Sequence, residues 1–269
     1  MEQIFKIAWR AARKAGEVIG DNFQKLQHED IRSKGKNDFV TRVDREAEAA
    51  IKEIILDEFP GHRILAEEGG LSAHKGEFLW VIDPLDGTTN FIQGIAHFSV
   101  SLALMKNSSV IFGLIYDPIL LECFHAAAGQ GAFMNDAPIM VSKIKLMSSA
   151  FGATGFPFKA PHLLTPYADV FKILMPQCQD LRRCGSAALD LAYVACGRYD
   201  FFWESHLLPW DFMAGKLIVE EAGGTTSDFS GKELPLQTSS VLAANRHLHP
   251  MLLDLIGPYF SQPEFYSSR

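Results

Sequence analysis

The chain has 269 residues, 48 % of them hydrophobic and 21 % charged, which is enough for a large core, and no run reaches the roughly eighteen uncharged apolar residues of a membrane-spanning helix. A formal net charge of −7 disfavours a general nucleic-acid surface and leaves Arg182 and Arg183 as the place for a local basic patch. The four cysteines (Cys123, Cys178, Cys184, Cys196) include no C-x-x-C pair and lie in or beside apolar stretches, so neither disulfides nor zinc are expected.

The segment opening at Met1-Glu2-Gln3 is amphipathic rather than basic and then apolar, which predicts no signal peptide and a cytoplasmic protein. Ile4, Ile7, Ala8, Ala11, Ala15, Val18 and Ile19 recur at helical spacing, and Val43, Ala47, Ile51, Ile54 and Ile55 do so again after a break at 33–37. Pro60-Gly61 closes the second helix. Apolar runs at 63–66, 78–82, 99–105, 110–116 and 121–126 then read as strands of one sheet. Beyond about residue 145 the pattern mixes, with helices expected near 163–175, 186–197 and 211–222, and strands near 148–153, 199–204 and 239–244. The expected organisation is an N-terminal half at 1–145, a C-terminal half at 146–257 that completes the site, and a tail at 258–269. No linker or fixed-period repeat separates the halves, so they are expected to share an interface as one unit.

The chemistry is concentrated at Trp80-Val-Ile-Asp83-Pro-Leu-Asp86-Gly-Thr-Thr-Asn90, where an apolar strand runs into two aspartates. Pro84 is expected to stop the ladder, and Gly87 to let backbone N–H groups approach an anion. Glu67-Glu68 follows another expected strand, and Trp210-Asp211 opens an expected helix, so further carboxylates stand at element ends. Taken singly, these motifs also fit an Asx turn, a solvated acidic pair and an N-cap. Together they form an oxygen-only donor set, which selects a hard cation, Mg²⁺ being the usual one beside phosphate. Four carboxylates and a phosphate monoester carry about −6, a charge that two or three Mg²⁺ ions offset. Two other acidic motifs fail on spacing: a dehalogenase-type aspartate pair is two residues apart rather than three, and the twelfth position of an EF-hand loop counted from Asp83 is Gly94. His97, His125, His206, His247 and His249 show no metal-ligand pattern and read as structural or surface residues.

Glu67-Glu68, Asp83-Pro-Leu-Asp86-Gly-Thr-Thr-Asn90, Gly185-Ser-Ala-Ala188 and Trp210-Asp211-Phe-Met-Ala-Gly215 resemble the motifs of the inositol monophosphatase family, closest to its bacterial inositol-1-monophosphatase branch, over about residues 4–256. The resemblance implies an α/β (α+β) layered α-β-α-β-α sandwich of the inositol monophosphatase and fructose-1,6-bisphosphatase type. It also implies a homodimer, two or three Mg²⁺ ions and inhibition by Li⁺. By motif position, Glu67, Asp83, Asp86 and Asp211 become metal ligands with the Leu85 carbonyl, while Thr88 and Asp44 help activate a water for in-line attack on phosphorus. Asp86, the backbone at Ser186 and Ala187, Glu204 and Asp211 become contacts to the polyol, and Gly87 and Thr88 contacts to phosphate. The segment Lys34-Gly-Lys36-Asn-Asp38-Phe-Val-Thr41-Arg-Val-Asp44 resembles the family's mobile catalytic loop, with Lys34 preferred over Lys36 as its lysine.

The implied reaction is hydrolysis of a small phosphorylated polyol or sugar, foremost myo-inositol 1-phosphate. Fructose 1,6-bisphosphate, histidinol phosphate and 3′-phosphoadenosine 5′-phosphate remain alternatives, because pocket residues rather than the aspartates decide among them. The segment Ser205-His206-Leu-Leu-Pro209 is less polar than in many relatives, which leaves the hydroxyl-binding wall open. A regulatory role with an RNA or transcription partner is the alternative of a different class, with no membrane partner and no nucleic-acid substrate expected.

Overall fold

The first helical pattern folds as α1 (Glu2–Asn22), which buries Ile7, Ala8, Ala11, Ala15 and Ile19 along one stripe. In the computed structural model, which describes residues 1–73 and 76–260, the break after it is not a plain loop. β1 (Ile31–Gly35) and β2 (Asp38–Thr41) pair as an antiparallel hairpin. The second helical pattern folds as α2 (Arg42–Glu58): Thr41 is the N-cap, and its hydroxyl accepts from the N–H groups of Val43 and Asp44.

β3 (Arg63–Ala66), β4 (Gly70–Leu71) and β5 (Phe78–Asp86) come next, followed by the short helix α3 (Thr88–Ile92). β6 (Ser99–Lys106), β7 (Ser109–Asp117), β8 (Glu122–Ala127), β9 (Ala132–Met134) and β10 (Ala137–Ile139) complete an eight-stranded sheet of order β10-β9-β8-β7-β6-β5-β3-β4. Its neighbours are antiparallel except β3 and β5, which run parallel. Pro84 does not end the ladder as expected. Asp83 pairs with Ser101 and Asp86 with Ser99, so three steps of β5 span two of β6. This irregularity is a bulge, one of the few places within a sheet where a residue lacking an N–H is tolerated.

The second part of the chain contributes β11 (Phe151–Thr154), α4 (Leu164–Leu174), β12 (Asp180–Arg182), α5 (Ala187–Ala195), β13 (Phe201–Ser205), α6 (Pro209–Glu221), β14 (Gly224–Ser227), β15 (Ser240–Asn245) and α7 (Leu248–Ile256). The strands form a five-stranded sheet of order β12-β11-β13-β15-β14, with β12, β11 and β13 parallel. β11 begins three residues later than expected, and β12, β14 and α7 had no counterpart in the sequence pattern.

Strand alternation sorts the core into layers. Trp80 and Ile82 of β5 and Leu102 and Leu104 of β6 face α1 and α2, whereas Leu79, Val81, Ala103 and Met105 face the opposite way, onto α5 and α6. Phe202 of β13 joins that middle layer, while its neighbours Phe201 and Trp203 point to α4 and α7. The fold is therefore an α-β-α-β-α sandwich with two helices buried between two sheets. Phe260, within the expected tail, packs in the outer core 4.7 Å from Phe229. The remainder of that tail, 261–269, lies outside the described residues. All four cysteines are free. Among the described residues no helix is long and apolar enough to cross a membrane.

Candidate active site

The parallel pairing of β3 with β5 explains why two distant acids meet. Ala66 lies in register with Ile82, and the Glu67 N–H donates to the Ile82 carbonyl at 3.2 Å, so Glu67 emerges beside Asp83. The Asp83 side chain accepts from the Leu85 N–H at 2.9 Å, which closes the bulge over Pro84. Gly87 follows at φ 97, and a Cβ there would meet the His97 carbonyl at 3.0 Å and Phe98 Cα at 3.2 Å. Both the left-handed backbone and the close approach require glycine.

Thr88, at the start of α3, links this bulge to α2. Its hydroxyl lies 2.9 Å from Asp44 Oδ1 and 3.0 Å from the Leu85 carbonyl. The other Asp44 oxygen accepts from the Thr41 N–H at 2.9 Å and the Thr41 hydroxyl at 2.5 Å. Burial pushes the Asp44 carboxyl up, and these donors hold it back. From the hairpin, Lys34 Nζ reaches Glu67 Oε1 at 3.1 Å and Glu68 Oε1 at 2.5 Å.

The other contributions come from beyond residue 150. Asp86 Oδ2 accepts from the Ser186 hydroxyl at 2.5 Å and the Ala188 N–H at 2.8 Å, which fixes it to the N-terminal turn of α5. Asp211 sits in the first turn of α6, where one oxygen accepts from the Leu208 N–H at 2.6 Å. Glu204 on β13 is half-buried rather than a surface carboxylate. Its carboxyl group occupies the space where a side chain at Gly155 would start, so any larger residue there would displace that carboxyl group.

A cleft of about 370 Å³ is bounded by Glu67, Asp86, Gly87, Thr88, Ala187, Glu204 and Asp211. Asp38, Phe156, Phe158, Lys159 and Arg183 also line it, and sequence reasoning did not single out any of them as site residues. Lys159 pairs with Asp38 at 2.7 Å across 121 positions of chain. The Arg183 guanidinium lies over Phe156 at 5.6 Å and Phe158 at 5.3 Å. Of these five, Arg183 was partly legible as half of a basic pair, and Asp38 as a member of the loop segment 34–44.

Burial raises Asp83 well above the usual carboxylate range, and the charges of Glu67, Asp86 and Asp211 raise it further. Asp211 is raised in the same way by burial and by Asp86. Asp86 is pushed by burial up to about 6 against its Ser186 and Ala188 donors, and Glu204 by burial up to about 8 against Arg183. Burial also raises Glu67, against the pull of Lys34. Buried acids that raise one another and offer only oxygen donors are the surroundings in which hard cations bind. Glu67, Asp83, Asp86 and Asp211 therefore fit Mg²⁺.

A model of the inositol monophosphatase family matches residues 1–259. The Nus factor SuhB of Escherichia coli strain K12 is 46 % identical over 246 residues, 91 % of this chain and 92 % of that protein. The extragenic suppressor protein suhB from Bartonella henselae superposes with a TM-score of 0.90 at 37 % identity, over 94 % of this chain and 98 % of that one. Inositol monophosphatase from Anabaena (Nostoc) sp. PCC 7120 does so with a TM-score of 0.84 at 40 % identity, over 94 % and 95 %. Agreement over nearly the whole chain, in sequence and in fold, leads to one assignment: the chain belongs to the inositol monophosphatase family.

Proposed function

We propose that this protein hydrolyses a small phosphate monoester, most readily myo-inositol 1-phosphate, with two or three Mg²⁺ ions held by Glu67, Asp83, Asp86, Asp211 and the Leu85 carbonyl. The observation that carries the reading is the convergence of four carboxyl groups from three elements, each raised by burial. When bound, Mg²⁺ supplies charge neutralisation and a lower pKa for water at the phosphorus.

The protein's own part is proton handling and orientation. Thr88 has one hydroxyl proton, held between Asp44 Oδ1 and the Leu85 carbonyl, so its oxygen is free to accept a proton from the attacking water. As it does, its own proton passes to Asp44 Oδ1, a carboxyl group whose affinity for protons burial has already increased. The Lys34 ammonium offsets charge on Glu67 and Glu68. Backbone N–H groups at Gly87 and Thr88 face the phosphate, while Asp86, Asp211, Glu204 and the backbone at Ser186 and Ala187 meet the hydroxyl groups. A polyol requires such polar partners, since an apolar wall leaves its hydroxyls unpaired. The protein acts in the cytoplasm as a homodimer.

The test is phosphate release from inositol 1-phosphate, fructose 1,6-bisphosphate, histidinol phosphate and 3′-phosphoadenosine 5′-phosphate. Turnover is expected with Mg²⁺, and neither with EDTA nor in a folded Asp83→Asn variant. Wild-type turnover by that variant overturns the assignment. A second role with an RNA or transcription partner is favoured by the name Nus factor carried by the Escherichia coli relative. It predicts a partner that co-purifies equally with Asp83→Asn.

A further inference from the structure

Behind the wall of the cleft, two loops and a helix bring together a different set of donors. His97 lies between α3 and β6, Cys184 between β12 and α5, and Asp190 in the first turn of α5. Among the described residues, this is the one trio of His, Cys, Asp or Glu side chains whose ligand atoms all lie within 4.8 Å of one another. The loops are tied together by Asn90, whose side-chain amide donates to the His97 carbonyl at 2.7 Å and to the Cys184 carbonyl at 2.8 Å.

Asp190 is 1 % exposed, and its Oδ1 has no hydrogen-bond partner. The buried Nε2 of His97 has none either. Two buried polar atoms without a protein partner are costly unless a water or an ion satisfies them. The thiol of Cys184, 3.4 Å from the Tyr199 hydroxyl, completes a sulfur, nitrogen and oxygen set quite unlike the all-oxygen cluster around Asp83.

We propose that His97, Cys184 and Asp190 form a second cation site, selective for Zn²⁺ or a similar borderline-soft ion. Thiolate and imidazole favour such ions over Mg²⁺. The charges balance: loss of the Cys184 and Asp190 protons to solvent leaves −2, and neutral His97 adds nothing, so one divalent ion neutralises the set. Tetrahedral zinc places its ligand atoms ~3.5 Å apart, so rotation of the ring and the thiol closes the remaining gap. A tie here would also brace the cleft, since Ser186, the N-cap of α5, holds Asp86.

The test uses the full chain, stripped with EDTA and titrated with Co²⁺ in the presence of saturating Mg²⁺. A near-ultraviolet thiolate-to-Co²⁺ charge-transfer band is expected to rise to one equivalent and to disappear when Zn²⁺ is added. Cys184→Ser abolishes it, Cys123→Ser leaves it intact, and Asp190→Asn weakens Co²⁺ binding at least tenfold. Absence of the band in wild-type protein, or its persistence in Cys184→Ser, overturns the proposal; absence is the result expected if His97 and Asp190 merely share a proton or a buried water. The carboxylate cluster contains no thiolate and cannot produce this band. Loss of turnover in Asp83→Asn with the band unchanged therefore separates the two sites.

Discussion

Thr88 shows how much rests on a single hydroxyl proton. Replacing it with Ala removes the proton path to Asp44 while leaving every carboxylate in place. Thr88→Ala is expected to lower kcat by about 10²–10⁴-fold with little change in KM, and Thr88→Ser to recover most of it; a kcat loss the same in Ser as in Ala would show that packing of the methyl group matters instead. Glu204 contributes to the pH dependence of stability. Its folded-state pKa of about 8 lies above the ordinary glutamate value of 4.5, so the folded protein holds this proton more tightly than the unfolded chain. The stabilising contribution is complete below the unfolded value and is lost as pH rises through the folded one. Melting in EDTA should therefore occur at progressively lower temperature from about pH 5 to pH 8, with a shallower slope in Glu204→Gln. At this scale the acids were legible because they stand in short motifs at strand and helix ends. The Asp38–Lys159 pair was not, because 121 residues separate its members and nothing in the sequence singles out Lys159.

At the scale of elements, the passage from β5 into α3 depends on Gly87. Gly87→Ala is expected to cost about 1–3 kcal/mol and to displace Thr88, which denaturant titration and kcat would both register; unchanged stability would mean that the backbone relaxes freely. The long helices and the apolar strands of the first sheet were legible from their periods. The hairpin of β1 and β2 was not, because its strands have only five and four residues and the first is largely exposed. The course of β5 through Pro84 was hidden for another reason. A bulge depends on the partner strand, and one strand's sequence carries no sign of it.

For the whole molecule, the middle helical layer is the part on which most else depends. Phe202 is fully buried in it between the second sheet and α5 and α6. Phe202→Ala is expected to cost about 3–5 kcal/mol, measured by chemical denaturation, and a smaller loss would indicate that the layers close over the cavity. Gly113 marks how tightly that layer sits on the first sheet, since a Cβ there would meet the Ala214 carbonyl of α6 at 2.7 Å. The layered order itself was reached through family motifs. Periodicity showed helices and strands, but which face of each sheet meets which helices is a long-range fact.

The position of Asp211 on that middle helix has a consequence for biosynthesis. Glu67, Asp83 and Asp86 leave the ribosome well before α6 is made, so a nascent chain carries three mutually repelling acids long before their fourth companion arrives. If the proposed metal assignment holds, the cation site is completed only when α6 settles between the sheets, and a truncated polypeptide ending before Asp211 lacks one of its ligands.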